Sequence, residues 1–264
     1  MEKKEKYSAP SVETAARILL FLKEANEVGA TFSQICRGVG IPKSTGFNIL
    51  KTLQEVNFVE FDPETRYYSL GWALVELGGS AANRLGHLTV VRSYLKPFVR
   101  EAGLTGYVMQ RLKDRYVIVE RIDAPSGVRV SASVGESHPI WFGAQGRVFL
   151  AFASEEEINL SVTPASLKSY TPNAITDPDA YKNELARIRK NGWAYSDEEY
   201  VPGVRAVAAP VFDSQGELLL VISAMGFTSF FTADRVDELG FRIKEIADKI
   251  SEAISGRRES RVFA

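Results

Sequence analysis

Ser44, Thr45, Asn48, Lys51 and Thr52 bring small hydroxyls, an amide and an ammonium group together at helical spacing. These side-chain types reach phosphate oxygens and base edges in the major groove of DNA. Lys43 opens the same run, and Arg66, farther along, adds a second cation suited to phosphate. Other chemistry is thinly provided. The two histidines, His87 and His138, stand far apart, and the single cysteine, Cys36, is distant from both, so no metal-ligand spacing exists. Gly143-Ala144-Gln145-Gly146-Arg147 lacks the Lys-Ser/Thr ending of a phosphate loop, and there is no Gly-x-Ser-x-Gly nucleophile elbow. Asp197-Glu198-Glu199 offers adjacent carboxylates for acid–base work. Three acids at a turn are more often solvated or salt-bridged. The sequence argues against an enzyme and calls for no metal and no cofactor.

The elements around the first group of residues give it a setting. At about 100° per residue, residues 42–55 form a helix with Gly46, Ile49, Leu50 and Leu53 on one face and the polar group on the other. Upstream, Val12, Ala15, Ala16, Leu19, Leu20 and Leu22 recur at helical spacing over residues 11–25, with Ser11 as the expected cap. Thr31-Phe32-Ser33-Gln34 fits a capping box, opening a short helix over residues 31–37. Gly38 and Gly40 are expected to end it, where a sharp turn needs positive φ. After the third helix, two β-rich runs, Asn57-Phe58-Val59-Glu60-Phe61 and Arg66-Tyr67-Tyr68-Ser69-Leu70, flank the turn residues Asp62-Pro63-Glu64-Thr65.

Three helices and a hairpin in this order make a winged helix-turn-helix over residues 1–70, with Arg66 on the wing. Two other readings fit the same spacing: a plain three-helix scaffold with a solvated polar face, and a winged helix that docks protein. Acidic and basic residues balance over residues 1–70, so a monomer gains little from counterion release. Tight DNA binding then calls for a dimer, or several dimers on repeated half-sites.

The whole chain has 264 residues, enough for one large domain or two ordinary ones. It is 45% hydrophobic and 25% charged, which predicts a packed core, and its net charge of −1 excludes a grossly polybasic binder. One cysteine rules out a disulfide framework within the chain and fits a reducing compartment. No apolar run approaches a membrane span, so no membrane partner is expected and the cytoplasm is the expected location. Residues 71–84 read as a helical connector, and residues 88–102 as a helix with Val91, Leu95, Phe98 and Val99 in one stripe. Strands are then expected at 107–112, 116–122 and 128–133, and again at 193–196, 205–213 and 218–226. Helices are expected at 143–153, 178–191 and 232–255, on one face of an antiparallel sheet, giving an α+β domain.

Several stretches, in order, resemble the IclR family of bacterial regulators. They begin with Ile41-Pro42-Lys43-Ser44-Thr45, Ile49-Leu50-Lys51-Thr52-Leu53 and Tyr68-Ser69-Leu70-Gly71. They continue with Gly146-Arg147-Val148-Phe149-Leu150-Ala151, Gly192-Trp193-Ala194, Asp197-Glu198-Glu199, Gly203-Val204-Arg205 and Ala208-Ala209-Pro210-Val211-Phe212-Asp213. The resemblance covers roughly residues 11–255. It implies a ligand-responsive transcriptional regulator that binds double-stranded operator DNA as a homodimer or homotetramer. Residues 71–87 would be a helical linker that helps the DNA-binding domains pair, and residues 88–264 a GAF-like effector-binding domain.

By the family pattern, Trp141, Phe142, Ala144, Gln145, Tyr195, Ser196, Ala206, Ser223 and Met225 would line the effector pocket. Their chemistry suits a small aromatic or carboxylic metabolite, although Trp141, Phe142 and Met225 would serve equally as core filling. The chain departs from the family pattern at Asn48, where an arginine is common, and at Gly146-Arg147-Val148, where Gly-Lys-Ala is usual. No particular effector carries over.

Overall fold

The computed structural model describes residues 9–25, 29–83, 86–125, 130 and 132–262. The chain divides into two compact units, Met1–Leu85 and Gly86–Ala264.

In the first unit, helices α1 (Pro10–Glu24), α2 (Phe32–Val39) and α3 (Lys43–Glu55) pack Ile18, Leu22, Ile35, Val39, Leu50 and Leu53 into one core. The α1 helix starts earlier than Ser11: Ala9 is the N-cap and Pro10 occupies the first turn, where its missing N–H costs nothing. Thr31 does form the capping box, its Oγ1 accepting from the Gln34 N–H while its own N–H donates to Gln34 Oε1 at 2.8 Å. Gly40 ends α2 in the left-handed region at φ 71°. Gly38 has a different role, lying within the helix. A Cβ there would come within 2.1 Å of the Phe21 ring, so glycine is needed for α1 and α2 to approach. Strands β1 (Ala30–Thr31), β2 (Val59–Phe61) and β3 (Tyr67–Leu70) form an antiparallel sheet in the order β1-β3-β2. The two-residue β1 is too short to leave an alternating pattern in the sequence. Helix α4 (Ala73–Asn83) follows the sheet.

The second unit is built on a six-stranded antiparallel sheet in the order β6-β5-β4-β9-β8-β7. Its strands are β4 (Thr105–Leu112), β5 (Arg115–Ile122), β6 (Ser137–Pro139), β7 (Ala194–Asp197), β8 (Val204–Phe212) and β9 (Leu218–Phe227). The strand expected at residues 128–133 lies mostly outside the described residues, and Val130, Ala132 and Ser133 are in no strand.

Helices cover both faces of the sheet, not one. Helices α5 (Leu88–Ala102) and α9 (Val236–Val262) pack on Val108, Val207, Ala209, Ile222 and Ala224. On the other face, helix α6 (Gly143–Ala151) packs on Tyr107, Met109, Ala206, Ala208 and Val221, and helix α8 (Pro178–Asn191) packs against α6. The alternation of side chains along a strand sends these two sets in opposite directions. Both sets are apolar because both faces are covered, so the central strands read as continuous hydrophobic runs. Between them, α7 (Glu155–Ser161) is opened by a Ser154–Glu157 capping box that the sequence reading did not use.

Candidate functional site

In the first unit, α3 turns Gly46, Leu50 and Leu53 inward, and this rotation leaves Lys43, Ser44, Thr45, Asn48, Lys51 and Thr52 exposed. The Thr52 hydroxyl donates back to the Asn48 carbonyl at 3.1 Å, so its hydrogen is already engaged within the helix. Arg66 is exposed at the wing turn, with φ 64°. That turn is organised by Asp62, whose carboxylate accepts from the Glu64 N–H at 2.8 Å and the Thr65 hydroxyl at 2.7 Å. The Thr65 hydroxyl and the N–H groups of Glu64 and Thr65 hold the Asp62 pKa below the usual carboxylate range. Cys36 is buried beside Gly46, and burial raises its thiol pKa, so it stays protonated and packs as an apolar group.

In the second unit, the face of the sheet beneath α6 gathers most of the expected pocket residues. Ser223 on β9 pairs in register with Ala208 and with Tyr107, and Met225 pairs with Ala206 and with Thr105. Ala206 also pairs with Ser196 on β7. From the first turn of α6, Gln145 reaches down to this face and donates its side-chain amide to Ser223 Oγ at 2.9 Å and to Met225 Sδ at 3.3 Å. Ala144, Gln145, Ser196, Ala206 and Ser223 are buried. The α6 backbone can sit this low because residue 146 is glycine: a Cβ there would lie 2.4 Å from the Ile140 carbonyl oxygen.

Trp141 and Phe142, just before α6, belong to an aromatic group with Tyr200 and Tyr170; the Phe142 and Tyr200 rings are 4.0 Å apart. Tyr195 is not brought together with the others. Its ring lies on the opposite face against Phe231, and burial together with the Asp197 carboxylate pushes its pKa up to about 12. The alternation of β7 explains this: Ala194 and Ser196 point one way and Tyr195 the other.

Two features escaped the sequence reading. Thr105 is 1% exposed beside Met225, and its hydroxyl has no hydrogen-bond partner among the described residues. A threonine in a strand is ordinary, so only its neighbours reveal an unused donor. Replacing it by valine removes an unpaired polar group. We expect Thr105→Val to raise stability in urea unfolding by about 1 kcal/mol; a loss of that size instead would mean the hydroxyl is satisfied.

The second feature is Arg147, wholly buried on α6 and paired with Glu199 through contacts of 2.9 and 2.7 Å. Its guanidinium also donates to the Tyr195 carbonyl. Burial works against the arginine's charge, but the Glu199 carboxylate together with the Tyr181 and Tyr200 phenols raises the Arg147 pKa on balance. The other two acids of the trio are engaged as well: Asp197 holds Arg205 at 2.7 Å, and Glu198 accepts the Gly203 N–H at 2.7 Å. All three carboxylates therefore brace the loop between β7 and β8.

The site under α6 is thus a small, buried, electrically neutral group of hydroxyls and one amide, set among aromatic and apolar side chains. It can recognise shape and donate or accept hydrogen bonds. Burial raises the pKa values of Tyr107, Tyr116 and Tyr200, so these phenols remain neutral at ordinary pH. Among the described residues no group of three or more His, Cys, Asp or Glu side chains could hold a metal ion. Nor is any helix of the described residues long and apolar enough to cross a membrane.

Comparison with known proteins agrees along the length of the chain. Residues 11–63 match the profile described as the IclR helix-turn-helix domain. Residues 80–252 match the one described as bacterial transcriptional regulator IclR C-terminal. The transcriptional repressor IclR of Escherichia coli is 28% identical over 250 residues, covering 94% of this chain and 91% of that one. The regulator KipR of Bacillus subtilis is 29% identical over 243 residues, covering 92% and 96%. These relatives are regulators, not enzymes. Among solved structures, a transcriptional regulator from Alicyclobacillus acidocaldarius aligns with a TM-score of 0.83 at 36% identity, covering 93% of this chain and 99% of that one. An IclR homolog from Microbacterium hydrocarbonoxydans, solved with 4-hydroxybenzoate, shares the fold at a TM-score of 0.74 and 22% identity, covering 92% and 98%.

Proposed function

The chain belongs to the IclR family of bacterial transcriptional regulators, and from that premise we propose how it divides the work. Residues 1–70 bind operator DNA, residues 71–87 act as the linker, and residues 88–264 sense a small aromatic or carboxylic metabolite. The observation that carries the DNA half is the outward face of α3. Lys43, Ser44, Thr45, Asn48 and Lys51 all stand exposed on one helix, with Arg66 on the adjoining wing. Helix and wing together are what a winged helix lays on a duplex.

For the sensing half, Gln145, Ser223 and Thr105 supply neutral hydrogen-bonding groups, and Trp141, Phe142 and Met225 supply apolar contact. Ala144, Ser196 and Ala206 complete the walls, and Tyr195 lies outside the site. An aromatic acid suits this chemistry because its ring can stack and its carboxylate can take donors from Gln145, Ser223 and the N-terminal amides of α6. The fold neighbour that holds 4-hydroxybenzoate is in line with that class and does not fix the compound for this chain.

Operator binding as a homodimer or homotetramer answers the lack of net positive charge in residues 1–70, since paired recognition helices add their phosphate contacts. It is also consistent with the exposed apolar side chains of the first unit, Trp72, Val75 and Leu77 in and just before α4. Ligand would shift the balance between two arrangements of the oligomer, by a coupling of about 1–3 kcal/mol.

The test is a titration onto the DNA upstream of the protein's own gene against a scrambled duplex. It is run at several salt concentrations, with and without benzoate and 4-hydroxybenzoate. Tight, salt-steep binding altered by one of the acids supports both halves. Lys51→Ala is expected to weaken binding severalfold and to lower the salt slope by about one per protomer. Unchanged affinity and slope in that variant would remove α3 from the interface. Acid binding with no preference for DNA would favour a winged helix that docks protein.

A further inference from the structure

Phe47 breaks the polarity of the outer side of α3. The residue is 59% exposed, although Lys43, Ser44, Thr45, Asn48 and Lys51 around it are all polar. Residues three and four apart stack on one helix face, so Phe47 stands in a stripe with Ser44 and Lys51, next to Asn48. The core does not use the ring, because Gly46, Leu50 and Leu53 are the residues of α3 that are buried. One side of it borders a cleft of about 320 Å³ that Phe32, Phe61, Arg66 and Tyr68 help to line, so helix and wing leave it uncovered.

A phenyl ring offers nothing to a phosphate and no hydrogen bond to a base edge. The major groove does present one prominent apolar group, the 5-methyl of thymine. We propose that Phe47 reads a thymine in the operator by packing its ring on that methyl, while Ser44, Lys51 and Arg66 engage the adjoining backbone. This rests on the DNA-binding reading given above and adds base specificity to it.

The experiment uses the full chain and a pool of duplexes with a randomised central segment. After enrichment, the selected duplex is remade with each thymine in turn replaced by deoxyuridine, which lacks only the methyl. Wild type should lose about fourfold in affinity at one thymine per half-site, the worth of one buried methyl. Phe47→Ala should bind the unmodified duplex about fourfold more weakly and ignore deoxyuridine at that position, and Phe47→Leu should fall between. Circular dichroism of the alanine variant should match wild type, since the ring is outside the core. Equal sensitivity of wild type and Phe47→Ala to every deoxyuridine would overturn the thymine contact while leaving DNA binding intact. If no duplex is enriched at all, the DNA-binding reading fails and the contact falls with it.

Discussion

Glu199→Gln should lower the stability of the second unit by about 3–5 kcal/mol, because it leaves Arg147 charged, buried and without a counterion. Arg147 is 0% exposed and the Glu199 side chain 8%, so water screens the pair very little. For a unit of this size the loss corresponds to a fall in melting temperature of roughly 10 °C, readable by calorimetry on the intact protein. The Arg147 Nε has no partner among the described residues, so even the native pair is incompletely satisfied. An apolar substitute of similar volume should therefore do as well. The double variant Arg147→Met, Glu199→Leu is expected to recover most of the lost stability. A Glu199→Gln protein that melts with wild type would mean that water reaches the arginine.

The same pair also bears on the candidate site under α6. Arg147 lies two residues beyond Gln145 on α6, and it joins Glu199 and the Tyr195 carbonyl, both next to Ser196 in the chain or within three residues of it. It thus fixes the helix that carries Gln145 against the strand that carries Ser196. We expect Glu199→Gln to weaken binding of aromatic acids as well, and the double variant to restore stability more fully than binding, since its apolar pair lacks the directional bonds.

How much of this was legible in the sequence follows from what a local pattern can record. The first unit was clear because its determinants are local: a capping box, a helix with one apolar face, turn residues between two β-rich runs. The Ser11 cap failed because Pro10 can begin a helix itself, and Gly38 was misread because its neighbour Phe21 comes from another helix. In the second unit the periodicity located the long strands and helices. The helices were expected on one face although the continuous apolar runs of β8 and β9, which have no polar alternation to mark a solvent face, are the pattern of strands covered on both.

The resemblance to a known family named pocket residues that one face of the sheet does gather, and β-strand alternation would have excluded Tyr195 had it been applied along β7. The burial of Arg147 against Glu199 and the unused hydroxyl of Thr105 were not legible. Each is defined by a partner, or the lack of one, from a strand or loop distant in sequence. Phe47 is the intermediate case: its position on the outer face follows from the helical angle, but an apolar residue there reads as noise until its exposure is seen.

Ser223→Leu should abolish the response to any aromatic acid that shifts the wild-type DNA titration, while leaving the DNA affinity of the unliganded protein unchanged. Ser223 is 0% exposed in the middle of β9, flanked by Tyr107 and Ala208 and capped by the Gln145 amide. A leucine there adds three carbons to the buried face under α6 and removes the oxygen that Gln145 bonds. Overpacking costs about 1–3 kcal/mol, and the orphaned amide costs a similar amount. The second unit should therefore melt earlier but still fold. Ser223→Ala separates the two effects: it removes the hydroxyl without adding bulk, so acid affinity should fall about tenfold, as for one lost hydrogen bond in a buried site, with the response retained at high acid concentration. If Ser223→Leu responds like wild type, the effector sits elsewhere and the group under α6 is only core. If it loses DNA binding together with the response, Ser223 governs the fold or assembly of the protein and not the sensing of a ligand.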